Sequence, residues 1–158
     1  MEEFLQETKA LNAEERKQIT ALIGKKILFV DDNNAAASFS FLPLMMATRS
    51  AATKIFWIGE LHNFDAEKLT ELLKKEGLDA ETIVLMDYDL RGRIKLKGSA
   101  VIREIRKQCG NILCIGASNM YQNDFDQMNV PQLSGKPKTV EALCSLGKIL
   151  LEEQKGKL

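Results

Sequence analysis

The sequence is most informative at residues 26–32, KILFVDD, where a short apolar run ends in two adjacent aspartates. An unbroken apolar run, without the alternation of a half-exposed strand, indicates a strand that is buried on both faces, as in a parallel sheet. We therefore predict a buried strand over residues 27–30, with Asp31 and Asp32 at its carboxyl end.

Further short runs with the composition of strands alternate with segments that have the composition of helices. The predicted strands are residues 53–58, 82–86, 112–115 and 132–133, and the predicted helices are residues 34–48, 66–77, 99–109 and 139–153, with a helix or loop at 121–128. Strands separated by helices favour parallel pairing through right-handed crossovers. We therefore predict an α/β fold, with a doubly wound five-stranded parallel sheet and helices on both faces.

Local signals place some of the helix ends. Asp65 can cap the amphipathic helix that follows it, and Gly77 ends that helix. Pro43 lies inside the segment 34–48 and implies either a kink or a late start of that helix.

The first 24 residues form a predicted helical extension in two pieces. Asn12 and Glu15 have the spacing of a capping box, and Gly24 ends the helix. The apolar side of this extension must pack on the main domain or on a second subunit. We divide the chain into the extension, 1–24, and one domain, 25–158, with no room for a DNA-binding output domain.

Composition excludes several classes of function. The chain has 22 basic and 22 acidic side chains, so no net field draws it to nucleic acid or to an anionic membrane. We expect a cytoplasmic protein without a membrane partner, because no apolar run reaches roughly 18 residues and the N-terminus lacks the plan of a secretory signal. His62 is the only histidine, which excludes a multi-histidine metal site. We expect Cys109, Cys114 and Cys144 to be buried, reduced thiols.

Charged side chains follow several of the predicted strands. Ligands of an open parallel sheet bind outside the carboxyl ends of the strands, where the winding direction reverses. The residues at those ends are Asp31 and Asp32, Asp87 and Asp89, Gly116 and Ser118, and Lys136. We therefore expect three carboxylates, a small residue and a lysine to converge on one edge of the sheet.

This set of side chains is suited to phosphoryl transfer. Three neighbouring carboxylates would raise the pKa of at least one of them unless a cation lay among them. Mg²⁺ binds carboxylate, water and phosphate oxygens, and it would leave Asp87 able to attack phosphorus. Lys136 would supply further positive charge, which matters because phosphoryl transfer depends on positioning and charge neutralisation.

Three segments resemble the signatures of response-regulator receiver domains, the chemotaxis-receiver-like modules of two-component phosphorelays. They are LFVDDNN, VLMDYDLRG and SGKP, at residues 28–34, 84–92 and 134–137. Their order and spacing agree with that family across about residues 25–152. The resemblance implies a flavodoxin-like fold and a stand-alone receiver that signals by protein–protein interaction.

The resemblance also implies a role for each site residue. It implies that Asp31 and Asp32 bind Mg²⁺, with Asp32 in direct contact. It implies that Asp87 is the phosphoacceptor and a metal ligand, and that the backbone carbonyl of Asp89 completes the metal site. Lys136 would form an ion pair with the phosphate.

Partners follow from the same resemblance. The phosphoryl donor would be a histidine kinase or a histidine phosphotransfer protein, and the output would be a downstream protein target. The chain would not be an enzyme beyond Mg²⁺-dependent self-phosphorylation and autodephosphorylation. The N-terminal extension or the last helix could also form a homodimer contact.

Some positions depart from the family pattern. Receivers usually have Thr or Ser at the end of the fourth strand, where this chain has Gly116, so either Ser118 serves through a shifted register or the hydroxyl is absent. Leu133 replaces the aromatic residue that precedes the lysine by three positions. The segment 91–97 is long and basic, and it forms either a solvated loop or a contact surface for an acidic partner.

Two other functions compete with the receiver. Asp87, Tyr88 and Asp89 have the Asp-x-Asp form of haloacid-dehalogenase-like phosphatases, but those enzymes have a second acidic pair after the lysine, whereas here the pair comes before the nucleophile. The other alternative is a degenerate receiver that serves as a phosphorylation-independent interaction module, which Gly116 and Leu133 favour. Apart from these functions, Asp31 and Asp32 could simply cap the following helix, as Asp often does at a strand-to-helix turn.

Overall fold

The computed structural model describes residues 6, 9–32, 34–50, 52–57, 65–90 and 96–156. Its helices are α1 (Ala13–Thr20), α2 (Asn34–Thr48), α3 (Ala66–Lys75), α4 (Gly98–Cys109), α5 (Asn123–Gln127) and α6 (Val140–Gly156). Its strands are β1 (Lys26–Asp31), β2 (Lys54–Trp57), β3 (Thr82–Met86), β4 (Asp89–Leu90), β5 (Leu96–Lys97) and β6 (Leu113–Gly116).

Four strands form a parallel sheet in the order β2-β1-β3-β6. Residue 30 of β1 pairs with Met86 of β3, and the N–H of Asp87 donates to the carbonyl of Val30 at 3.0 Å, so these strands end side by side. Because β2 lies on one side of β1 and β3 on the other, the winding direction reverses between β1 and β3. The α/β class and the parallel pairing are confirmed.

The predicted fifth strand is present only as a single parallel bridge between Gly116 and Gln132. The N–H of Gly116 donates to Pro131, and the N–H of Leu133 donates to Gly116, both at 2.8 Å. Pro131 has no N–H of its own, and Gly135 turns the chain at φ 146°. This segment therefore has room for one bridge but not for a strand.

Helices cover both faces of the sheet. Alternate strand residues point to opposite faces. On one face, strand residues pack with apolar side chains of α3 and α4, namely Leu69, Leu73, Val101, Ile102 and Ile105. On the other face they pack with α2 and α6, through Leu44, Ala47, Leu143, Leu146 and Leu150. The core thus lies on both sides of the sheet, and the carboxyl edge of the strands remains available for a site.

The capping box of the N-terminal extension is confirmed. The Asn12 side chain accepts from the N–H of Glu15 at 2.8 Å, and the Glu15 side chain accepts from the N–H of Asn12 at 3.1 Å. α1 packs on α6 of the same chain, where Leu11 is buried against Val140 and Cys144. We expected the apolar side of the extension to pack either on the main domain or on a second subunit, and in the structure it packs on the main domain.

Other elements differ in detail from the predictions. Asp65 caps α3 as expected, accepting from the N–H of Lys68 at 2.8 Å. α2 begins at Asn34 and continues through Pro43, so a late start is wrong. The sequence also did not predict the antiparallel hairpin of β4 and β5.

The cysteines are free, and two of them are buried. Cys114 and Cys144 are buried as expected, but Cys109 is half-buried, so the prediction of a buried thiol is wrong for that residue. Burial raises the pKa of the Cys114 thiol to about 12, as expected for a thiol in the core. Among the described residues, no helix combines the length and apolar character needed to cross a bilayer.

Candidate functional site

The predicted site residues on β1 and β3 and the predicted lysine come together at the carboxyl edge of the sheet. Asp31 is the last residue of β1, and Asp87 follows β3 directly. Lys136 lies in the segment that follows the Gly116–Gln132 bridge. Their exposed fractions are 0% for Asp31, 7% for Asp87 and 6% for Lys136, so all three charged groups are buried.

Lys136 binds two of the carboxylates at once. Its Nζ lies 2.9 Å from Asp31 Oδ2 and 2.8 Å from Asp87 Oδ1. The same nitrogen lies 5.7 Å from the centroid of the Phe29 ring. Burying two carboxylates side by side is costly unless a cation compensates them, and Lys136 supplies that cation from within the chain.

A third carboxylate belongs to the same cluster. Oxygen atoms of Asp31, Asp32 and Asp87 all lie within 4.8 Å of one another. Asp32 is half-buried, whereas the other two aspartates are buried. Carboxylate oxygens at this spacing are the donor set that a hard divalent cation prefers, so the residues present fit a magnesium ion.

The environment of Asp87 opposes its ionisation. Burial raises the pKa of Asp87 to about 7, although the hydrogen bond and charge of Lys136 lower it, and the neighbouring Asp31 raises it further. Asp87 Oδ1 accepts a second hydrogen bond, from the N–H of Tyr88 at 2.9 Å. This carboxylate is therefore held in place by two donors that converge on one of its oxygens.

The structure places Asp89 outside the cluster of three carboxylates. It is exposed at the start of β4 and pairs with Lys97 of β5 across the hairpin. The role implied for its backbone carbonyl in a metal site stays a prediction. Residues 91–95, with Arg91, Arg93 and Lys95, lie outside the described residues, as does His62.

Position 116 has no room for a side chain. A Cβ atom on Gly116 would lie 2.7 Å from Cδ2 of Phe125 and 3.1 Å from Cγ of Gln132. Phe125 is fully buried, so it cannot swing into solvent to make room. Ser118 lines a groove beside Gln132 and Leu133, and its expected role toward the phosphoryl group stays a prediction.

Tyr88 connects the end of β3 to α5, a feature that the sequence analysis missed. Its hydroxyl donates to Asp124 Oδ2 at 2.6 Å, and its ring packs edge-on against Phe125 with centroids 5.5 Å apart. Lys97 Nζ donates to the same hydroxyl at 3.1 Å. No periodic signal marks a helix as short as α5, so the contacts of Asp124 and Phe125 with Tyr88 could not be predicted from the sequence.

The site combines a carboxylate, a buried cation and a cluster of acidic oxygen atoms. Asp87 presents a carboxylate at the edge of the sheet, Lys136 provides a buried positive charge, and the acidic cluster can hold a divalent cation. Such an arrangement is suited to transferring a phosphoryl group to Asp87, because charge neutralisation dominates that chemistry.

No protein-family model matches the chain, and no curated protein matches its sequence. The burial, distances and charges of the site residues are therefore the evidence on its function.

Proposed function

We propose that this chain is a receiver domain of a cytoplasmic two-component phosphorelay and accepts a phosphoryl group on Asp87. The observation that carries the proposal is Lys136, whose Nζ bridges Asp31 and Asp87 at 2.9 and 2.8 Å. These residues come from three separate parts of the chain and meet at the switch point of the sheet. The strand order β2-β1-β3-β6 agrees with a flavodoxin-like fold, in which ligands bind at that point.

The donor is a phosphohistidine on a histidine kinase or a histidine phosphotransfer protein. An oxygen of Asp87 forms a bond to phosphorus while the bond from phosphorus to the imidazole nitrogen breaks. The imidazole leaves with the electron pair. Oδ1 of Asp87 already accepts from Lys136 and from the N–H of Tyr88, so Oδ2 is the oxygen that attacks.

Asp31, Asp32 and Asp87 would hold the magnesium ion. When bound, the ion neutralises charge on the transferred phosphoryl group. Lys136 adds a fixed positive charge at the same place, and burial of Asp31 and Lys136 keeps water away from one side of the site. The chain's own residues thus orient the acceptor and compensate its charge.

The test is to incubate the protein with Mg²⁺ and acetyl phosphate and to measure its intact mass. We expect one acid-labile phosphoryl group on the wild type and none on Asp87→Asn, which has no nucleophilic carboxylate at the site. Asp126→Asn is the matched control, because Asp126 is an exposed acid on α5. It should be phosphorylated like the wild type.

The same experiment separates the phosphatase alternative. Continuous hydrolysis of a phosphate monoester, lost in Asp89→Asn, would indicate a haloacid-dehalogenase-like enzyme and contradict the proposal. The geometry disfavours this enzyme, since Asp89 is exposed and pairs with Lys97 in the β4–β5 hairpin.

The degenerate receiver is the second candidate, and the packing at Gly116 favours it. Phe125 fills the space where a receiver usually has a hydroxyl side chain. Under this alternative the chain binds its partner regardless of phosphorylation. Absence of an adduct on the wild-type protein, with the fold intact, would support this alternative over the phosphoacceptor.

A further inference from the structure

Two positions that usually report phosphorylation in receivers cannot do so in this chain. A side chain at position 116 would collide with the buried ring of Phe125. Leu133 is buried in the apolar cluster on the opposite face of the sheet, together with Ile115 and Ala117. If Asp87 is phosphorylated, another residue must carry the information to the surface.

Tyr88 contacts both the acceptor and a surface element. Its N–H donates to Asp87 Oδ1 at 2.9 Å, and its hydroxyl donates to Asp124 Oδ2 at 2.6 Å. Its ring lies against Phe125 at an interplanar angle of 82°. The backbone of one residue therefore holds the acceptor, while its side chain holds α5 by a hydrogen bond and by a ring contact.

The hydrogen bond to Asp124 is of a strong kind. A phenol that donates to a carboxylate forms a charge-assisted bond, which is shorter and stronger than a bond between neutral groups. Lys97 Nζ, 3.1 Å from the same hydroxyl, and Ser99 Oγ, 3.5 Å from Asp124 Oδ2, surround the pair. α5 has only five residues, and this hydrogen bond adds to the buried ring of Phe125 and to the bond from Arg106 to the Met128 carbonyl in holding it.

We propose that Tyr88 is the positioning residue that tethers α5 in the unphosphorylated protein, and that phosphorylation of Asp87 releases this tether. The inference rests on the proposed function and names how the same site is read. Tyr88 thus takes the place of the hydroxyl and aromatic side chains that receivers usually have at positions 116 and 133.

The release follows from the chemistry of Asp87. As a carboxylate, its Oδ1 is an ionised acceptor for the N–H of Tyr88. Once the other oxygen bonds to phosphorus, Oδ1 becomes a neutral carbonyl and a weaker acceptor. The peptide at residue 88 can then move, and the ring and hydroxyl move with it, away from Phe125 and Asp124.

Backbone amides at the end of α5 report this movement. The N–H groups of Met128, Asn129 and Val130 donate to carbonyls of residues 124, 126 and 125, at 3.2, 3.0 and 2.9 Å. These hydrogen bonds open when α5 loosens. The rate of hydrogen exchange at these three N–H groups therefore reports whether Tyr88 still holds α5. A groove of about 440 Å³ beside α5, lined in part by Tyr121, Asp126 and Gln132, would change shape with it.

The test compares hydrogen exchange at residues 128–130 with and without Mg²⁺ and acetyl phosphate, while intact mass reports the adduct. In the wild type we expect phosphorylation to speed exchange by at least about threefold, because a local tether is lost. Asp124→Ala removes the tether and should exchange fast in both states, with an unchanged adduct. Asp126→Ala is the control. Asp126 lies in the same helix, but its side chain contacts Tyr121 and not Tyr88, so phosphorylation should speed exchange in this variant as in the wild type.

Each outcome has a defined meaning. An adduct without faster exchange in the wild type, or an Asp124→Ala protein that still responds, would overturn the role of Tyr88 and leave the proposed function standing. No adduct on the wild type would overturn both. Tyr88→Phe keeps the ring and the backbone N–H but removes the hydroxyl, and with it the hydrogen bond to Asp124. It should also give fast exchange in both states, so the inference does not depend on the folding of one variant.

Discussion

Ionising Asp87 costs free energy in the folded chain, because its carboxylate is buried and faces that of Asp31. Its pKa is about 7 in the folded protein against 3.8 as the ordinary value. The folded state therefore binds this proton more tightly than the unfolded state does. The resulting loss of stability is complete above pH 7 and disappears as the pH falls toward 4.

Asp87→Asn should accordingly stabilise the protein at pH 8 without divalent metal. We expect a gain of up to about 4 kcal/mol, since each pKa unit corresponds to about 1.4 kcal/mol and the pKa of about 7 already includes the favourable contact with Lys136. Urea unfolding at pH 8 and pH 5 measures it, and the gain should shrink at pH 5. Asp126→Asn is the control, and a destabilised Asp87→Asn protein at pH 8 would contradict this account.

The acidic side chains of the site could be predicted from the sequence, but their neighbours could not. Asp31, Asp32 and Asp87 end buried strands, and parallel strands end at one edge, so their meeting follows from the strand pattern alone. The contact of Gly116 with Phe125 depends on where a short helix settles after a loop. No periodicity in the sequence encodes that position.

Contacts between β6 and α5 decide what position 116 can hold. Gly116→Thr introduces the hydroxyl side chain that receivers usually have, but its Cβ would lie 2.7 Å from Phe125 Cδ2. Overpacking of this kind costs about 1 to 3 kcal/mol, so we expect a loss of that size in the free energy of unfolding. Urea unfolding measures this loss.

Ser118→Thr provides the matched control for that substitution. Ser118 follows the same strand and is half-buried beside the groove, so an added methyl group should change stability by less than about 0.5 kcal/mol. A Gly116→Thr protein as stable as the wild type would show that Phe125 moves aside easily.

The prediction of elements succeeded where a segment had a strong pattern and failed where it was short. β3 and the cap of α3 follow from an apolar run and from Asp65. The hairpin of β4 and β5 was missed because each strand has two residues and the segment between them is basic. The fifth strand was overestimated because Pro131 limits the ladder to one bridge.

Across the whole molecule, α1 and α6 join the two ends of the described chain. Gly147 allows this contact, since a Cβ atom there would overlap the backbone carbonyl of Gln18. The sequence left open whether the extension covers its own domain or a second subunit. The apolar side of the extension alone could not decide this, because packing on its own domain and packing on a second subunit would bury the same residues.

Gly147→Ala should lift α1 from α6. Trypsin should then cut after Arg16 and Lys17 at least about fivefold faster, because proteolysis follows local opening. Gly156→Ala is the control in the same helix, where an added Cβ meets nothing within 4 Å. An unchanged rate of cleavage in Gly147→Ala would mean that α1 does not depend on this close approach.

The central claim is that Asp87 accepts a phosphoryl group. The most direct measurement is to phosphorylate the protein with acetyl phosphate and Mg²⁺, reduce it with borohydride and map the peptides by mass spectrometry. Borohydride converts an aspartyl phosphate to an alcohol and leaves free carboxylates intact. We predict a single reduced residue, at position 87; reduction at another aspartate, or at none in a folded and metal-supplied protein, would contradict the account.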